Sequence, residues 1–169
     1  GGLLKELYTH DGIGTLISPD EYEQIKGAEA HDLAGILELI RPLQQAGILA
    51  DRSNEEIERS LDKFTVITKD SRVIACAALL DNPVDNIAEI ASVATHPDYR
   101  ESGHGERLVA ALIEAAKQAK LERVYVRTTQ TGHWFQELGF SMSSPEALPE
   151  SEKQKAKIDR NSKILVRSL

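Results

Sequence analysis

Between Asp32 and Gln45 the residues Leu33, Ile36, Leu37, Ile40 and Leu43 recur at the spacing of one helical face. Pro42 falls inside that pattern and is expected to kink or end the helix there. Ser53-Asn54-Glu55-Glu56 reads as a capping box, which predicts a second helix reaching to about Leu61. Phe64–Thr68 and Val73–Leu80 then read as paired strands across an Asp70-Ser71 turn. A loop from Asn82-Pro83 to Asn86 leads into an apolar strand, Ile87–Thr95, which His96-Pro97-Asp98 stops. From Gly105 to Lys120, Leu108, Leu112, Ala115, Ala116 and Ala119 form the stripe of an amphipathic helix. Val124–Thr128 reads as a buried strand, Trp134–Leu138 as a short helix closed by Gly139, and Lys163–Arg167 as a last strand. This order predicts an α/β chain with a mixed sheet, having both adjacent and crossover strands. Residues 1–25, punctuated by Gly1-Gly2, Gly12, Gly14 and Ser18-Pro19, lack such periodicity and read as a linker or a tail.

Composition narrows the class. The 169 residues suit one domain, here residues 26–169, and the 41% apolar, 28% charged makeup is that of a soluble globular protein. No apolar run is long enough to cross a membrane, and no signal pattern opens the chain, so no membrane partner and a cytoplasmic location are expected. Cys76 is the single cysteine and sits among strand alanines, which points to core packing. The five histidines show no H-x-x-x-H or H-E-x-x-H spacing, so no metal is expected. A net charge of −7 argues against nucleic acid as a partner. From Lys153 onward the balance reverses: six basic residues stand against Asp159 alone, as a solvated tail or as a local anion site.

The most informative stretch runs from Val93 to Leu108: strand, loop, helix. It contains Arg100-Glu101-Ser102-Gly103-His104-Gly105-Glu106-Arg107. A helix start presents amides without intrahelical partners and a partial positive charge. Gly103 and Gly105 remove side chains from the backbone's approach, and Arg100 and Arg107 add charge, which makes a cradle for phosphate or diphosphate. There is no G-x-x-x-x-G-K-[ST] and no G-x-G-x-x-G after the first strand, which excludes the P-loop and leaves a dinucleotide fold unsupported.

Arg100-Glu101-Ser102-Gly103-His104-Gly105 resembles the Q/R-x-x-G-x-G/A motif of GNAT acetyltransferases, and Leu138-Gly139-Phe140 resembles that family's second signature. The resemblance implies a mostly antiparallel sheet, helices on both faces, and two parallel central strands that splay at a bulge. It also implies acetyl-CoA as cosubstrate, with its diphosphate on residues 100–107, its thioester near the Val93 and Ala94 amides, and contacts from Trp134 and Phe135. Further stretches are similar to the bacterial N-acetylglutamate synthases: Leu39–Leu43, Gly47–Leu49, Glu89–Ala94, His133-Trp134-Phe135, Leu148-Pro149-Glu150 and Arg160-Asn161-Ser162-Lys163. Leu3–Thr15 resembles the end of the amino-acid-kinase-like domain that precedes the acetyltransferase in those enzymes. The resemblance implies L-glutamate as the acceptor, and a homo-oligomeric full-length protein assembled through that upstream domain.

By the same resemblance Arg52, Ser92, Arg160 and Ser162 contact the acceptor. Two guanidinium forks suit two carboxylates. Glu89 matches the general base, and Thr128 the hydroxyl that protonates the leaving thiolate, because Trp134-Phe135 replaces the Phe-Tyr pair other GNAT enzymes use. Other readings remain: a GNAT enzyme for another small amine, and a non-catalytic acyl-CoA-binding regulatory module.

Overall fold

The computed structural model describes residues 16–17, 23–157 and 162–169. The described elements are β1 (Leu16–Ile17), β2 (Glu23–Gly27), α1 (Leu33–Gln45), α2 (Asn54–Arg59), β3 (Phe64–Lys69), β4 (Arg72–Asn82) and β5 (Ile87–Thr95). They continue with α3 (His104–Gln118), β6 (Arg123–Thr128), α4 (Gly132–Glu137), β7 (Ser141–Ser143), α5 (Glu150–Lys157) and β8 (Lys163–Ser168). The strands form one sheet in the order β1-β2-β3-β4-β5-β6-β8-β7. Every neighbouring pair is antiparallel except β5 and β6.

Alternating side chains send the sheet's apolar residues to two faces. On one, Ile67, Ala77 and Ile90 pack with Leu108, Leu112 and Phe135, so α3 and α4 cover it. On the other, Val66, Cys76 and Ala78 pack with Ile36, Ile40 and Ile57, so α1 and α2 cover it. A third cluster of Ile87, Tyr125, Leu148 and Ile164 lies beneath the segment leading into α5. It is tied down by polar contacts: Tyr125 donates to Glu152 Oε2 at 2.6 Å, and Asn82 Nδ2 donates to Glu152 Oε1 at 3.1 Å.

Three sequence expectations change. Helix α1 does not end at Pro42 but runs to Gln45. Pro42 forfeits one amide bond near the helix end, and its carbonyl still accepts from Ala46 N–H at 3.0 Å. The sheet begins before residue 26, because Glu23–Gly27 is a strand paired with β3. Its polar, single-buried-residue pattern hid it: of Glu23-Gln24-Ile25-Lys26-Gly27 only Ile25 is buried. Helix α2 stops at Arg59, two residues short of the expected end; its Ser53 cap is present, with the hydroxyl accepting from Glu56 N–H at 3.2 Å.

Candidate active site

The parallel pair β5–β6 is hydrogen-bonded only through Ile87–Arg123, Ala88–Val124 and Glu89–Tyr125. Beyond Glu89 the strands part, and β6 continues in register with β8 alone. The cause lies on the other side of β5. Opposite β4, Ala91 pairs with Ala78 and Ala94 with Cys76, so Ser92 and Val93 together oppose only Ala77. This bulge bends β5 away from β6. Ser92 takes φ +56°, a left-handed conformation unusual for a strand serine. The bulge and splay expected from the sequence are thus present, and they open a V-shaped gap at the middle of the sheet.

A cavity occupies that gap. Its walls include Glu89 and Ser92 from β5, Arg127 and Thr128 from β6, Arg52 from the segment after α1, and Ser162 just before β8. Of the four residues expected to contact the acceptor, Arg52, Ser92 and Ser162 are therefore brought together; Arg160 lies outside the described residues. Arg52 is placed by Arg41 and Gln44 of α1, whose side chains donate to the Arg52 carbonyl at 3.0 and 3.4 Å.

Glu89 is 3% exposed, a depth at which a carboxylate needs a partner. Arg127 Nε donates to its Oε2 at 2.8 Å. Arg52 Nη2 stands 3.7 Å from its Oε1, close enough for an ion pair and too far for a hydrogen bond. Glu89 Oε1 is buried with no hydrogen-bond partner among the described residues. Arg127 was not among the residues singled out from the sequence. Its signal was the alternation in Tyr125-Val126-Arg127, which puts an arginine on the same strand face as a buried tyrosine.

Thr128 is buried in the cavity wall with its hydroxyl engaged. It accepts from Thr131 N–H at 2.9 Å and Gln130 N–H at 3.3 Å, and shares a 2.5 Å bond with the Thr131 hydroxyl. The two amides fill its acceptor positions, which directs its own proton toward Thr131. Tyr125, on the opposite face of β6 from Thr128, donates to Glu152. Burial above all, then the Glu89 and Glu152 carboxylates, push its phenol well above the usual tyrosine range.

The glycine loop lies at the C-terminal end of β5. The backbone ladder of α3 opens with Arg107 N–H donating to Gly103 O at 3.1 Å, so the amides of Gly103, His104, Gly105 and Glu106 precede any intrahelical partner. Ser102 N–H donates instead to Tyr99 O at 3.2 Å, which withdraws that amide from the expected cradle. The His104 side chain turns inward: it is 4% exposed, and its Nε2 lies 2.5 Å from Glu23 Oε1, so only its backbone faces the loop. Glu23 also stands 3.7 Å from Arg107 Nη1, and Arg100 Nε donates to Thr95 O at 3.5 Å. Glu101 is exposed.

The two glycines serve different ends. Gly103 sits at φ +79°, and a methyl group there would meet only Glu106 Oε2 at an ordinary contact distance of 3.9 Å, so its requirement is conformational. Gly105 is needed for contact: a methyl group there would lie 3.1 Å from Trp134 Cζ2. Trp134 is half-buried against the loop and donates from Nε1 to Glu106 Oε1 at 2.7 Å. It meets the buried Phe135 ring edge-on at a centroid distance of 4.8 Å.

Comparison with known proteins agrees with this architecture. The family model "Acetyltransferase (GNAT) family" matches residues 33–140. The amino-acid acetyltransferase of Escherichia coli (strain K12) is 50% identical over 169 residues, 100% of this chain and 38% of that protein. The amino-acid acetyltransferase of Mannheimia succiniciproducens is 46% identical over the same span, again 38% of its length. Among solved structures, the N-acetylglutamate synthase from Neisseria gonorrhoeae complexed with coenzyme A and N-acetyl-glutamate superposes with a TM-score of 0.84 at 39% identity, covering 100% of this chain and 40% of that one. This chain thus spans about two fifths of the length of these relatives. A splayed β5–β6 pair, a glycine loop opening α3 and a model match over most of the described domain place the chain in the GNAT acetyltransferase family.

Proposed function

We propose that this chain transfers the acetyl group of acetyl-CoA to the α-amine of L-glutamate, giving N-acetyl-L-glutamate and CoA. One observation carries the reading. A buried carboxylate, Glu89, stands between two guanidinium groups at the mouth of the splayed strands, with one oxygen lacking a hydrogen-bond partner among the described residues. The relatives' names and the coenzyme A and N-acetyl-glutamate of the Neisseria complex support it.

Acetyl-CoA supplies an activated thioester carbonyl. The first-turn amides of α3 fit a diphosphate, and the gap between β5 and β6 fits an extended arm reaching toward Glu89. The acceptor amine attacks only when neutral, while the ammonium form prevails near neutrality. Glu89 Oε1 takes the proton, an assistance worth roughly 10²–10⁴-fold. Arg52, with Arg160 and Ser162, receives the acceptor's carboxylates. The backbone around Val93 and Ala94 polarises the reacting carbonyl. As the carbon–sulfur bond breaks, the Thr128 hydroxyl turns from Thr131 to donate its proton to the leaving thiolate; solvent restores that proton, and Glu89 releases to solvent the one taken from the amine.

The pocket's charge favours this acceptor over a polyamine. Arg52 and Arg127 outnumber Glu89 among the described lining residues, so a dicarboxylate is drawn in and a polycation repelled. The test is Glu89→Gln. Turnover with L-glutamate should fall by roughly 10²–10⁴-fold while coenzyme A affinity is unchanged. A variant with wild-type turnover would remove Glu89 from the chemistry.

A further inference from the structure

We infer that Arg127 is the positioning residue of the proposed base, fixing Glu89 so that one chosen oxygen faces the acceptor amine. This deepens the reading above and rests on Glu89 being the base. Glu89 is the last β5 residue in register with β6, opposite Tyr125. Two residues on, where the strands have begun to part, Arg127 is on the same face of the strand as Tyr125, and its long side chain spans the widening gap to Glu89. It reaches back across the mouth of the gap, 11% exposed, and its Nε meets Oε2 at 2.8 Å.

The two oxygens of Glu89 are therefore unlike. Oε2 is engaged by a planar group whose direction is set. Oε1 is buried without a hydrogen bond from any described residue, with Arg52 at 3.7 Å. A buried acceptor atom left without a donor is costly unless a ligand completes it. A carboxylate free to rotate would offer either oxygen and either rotamer. Held by Arg127, it offers Oε1 to the cavity shared with Ser92, Thr128 and Ser162. Arg52 is placed differently: its carbonyl is anchored to α1, and its guanidinium stands off Oε1 on the acceptor's side.

The test is a cycle in the full chain: wild type, Arg127→Leu, Arg127→Lys, Glu89→Gln and the double variant Glu89→Gln with Arg127→Leu. Steady-state constants are measured for L-glutamate and acetyl-CoA, with thermal melts to confirm folding. Arg127→Leu should lower kcat about tenfold to a hundredfold, the scale of a misplaced catalytic group. KM for acetyl-CoA should stay within about twofold, and Arg127→Lys should recover part of kcat, because an ammonium can pair with Oε2 but cannot fix its direction. In the Glu89→Gln background the same Arg127→Leu change should cost less than about threefold, since a residue acting through Glu89 has nothing left to position. If Arg127→Leu does not fold alone, Arg127→Lys is compared in both backgrounds; the double variant removes both charges and avoids a stranded carboxylate. Equal losses in both backgrounds, or no loss in either, would overturn the inference while leaving the base in place. Wild-type kcat in Glu89→Gln would instead fail the base assignment itself, and the inference with it.

Discussion

Replacing Gly105 with alanine tests how the glycine loop is built. The new methyl carbon would lie 3.1 Å from Trp134 Cζ2 and 3.4 Å from Cη2. Carbon atoms settle at roughly 3.5–4.0 Å, so the indole must retreat by about half an ångström. It is poorly placed to do so. Its Nε1 is held by Glu106 Oε1 at 2.7 Å, and its ring meets Phe135 at 4.8 Å and 74°. Overpacking of this kind costs about 1–3 kcal/mol, while alanine's helix preference over glycine returns up to about 1 kcal/mol. The net loss should be about 1–2 kcal/mol, or about 2–8 °C in Tm for a domain of this size. Because the ring and the first-turn amides shift together, coenzyme A affinity by isothermal titration should fall about tenfold, equivalent to about 1.4 kcal/mol. Trp134→Leu removes the obstructing atoms, so Gly105→Ala should cost little in that background. Equal stability losses with and without the indole would refute the contact as the reason for the glycine, and unchanged coenzyme A affinity would separate the loop from the ligand.

Three further outcomes follow from buried groups. Burial pushes the Cys76 thiol up to about 12 against an ordinary value of 9.0. The unfolded chain therefore loses this proton first. The stability is fully present below pH 9.0 and is lost toward pH 12 at about 1.4 kcal/mol per pH unit. Urea midpoints of Cys76→Ala should fall less steeply between those limits, and an identical slope would contradict this. Tyr125→Phe removes the 2.6 Å bond to Glu152 and should cost about 1.5–3 kcal/mol in urea unfolding, since the acceptor is charged; a loss under about 0.5 kcal/mol would show that this bond does not hold α5. Thr128→Val deletes the acceptor of two amides at the start of α4 and should lower both stability, by about 1 kcal/mol, and turnover, whereas Thr128→Ser should keep most of each. Full turnover in Thr128→Val would exclude the hydroxyl as proton donor.

Strongly periodic segments were legible in the sequence. Leu108, Leu112, Ala115 and Ala116 mark α3, and all four are buried. The splay and its bulge came from resemblance and not from periodicity. Ala91, Ser92 and Val93 carry no local sign that Ala77 alone faces two of them, because register is a property of the pair of strands. Strand β2 was missed because an edge-side strand with one buried residue has no alternation to read. Within the site, Glu89, Arg52, Ser92 and Ser162 were found as candidates, yet the sequence could not show that Arg127 pairs with Glu89. Nor could it show that His104 would turn from the loop toward Glu23, a partner supplied by the missed strand. Gly105 was legible as a loop glycine, but the sequence could not show that its missing Cβ also makes room for Trp134.

The most direct measurement is CoA thiol release from acetyl-CoA by this chain with L-glutamate, L-glutamine or spermidine as acceptor. Guanidinium groups around a single carboxylate predict release with L-glutamate, much less with L-glutamine and background release with spermidine. Release with spermidine and none with L-glutamate would contradict the assignment of this pocket to a dicarboxylic acceptor.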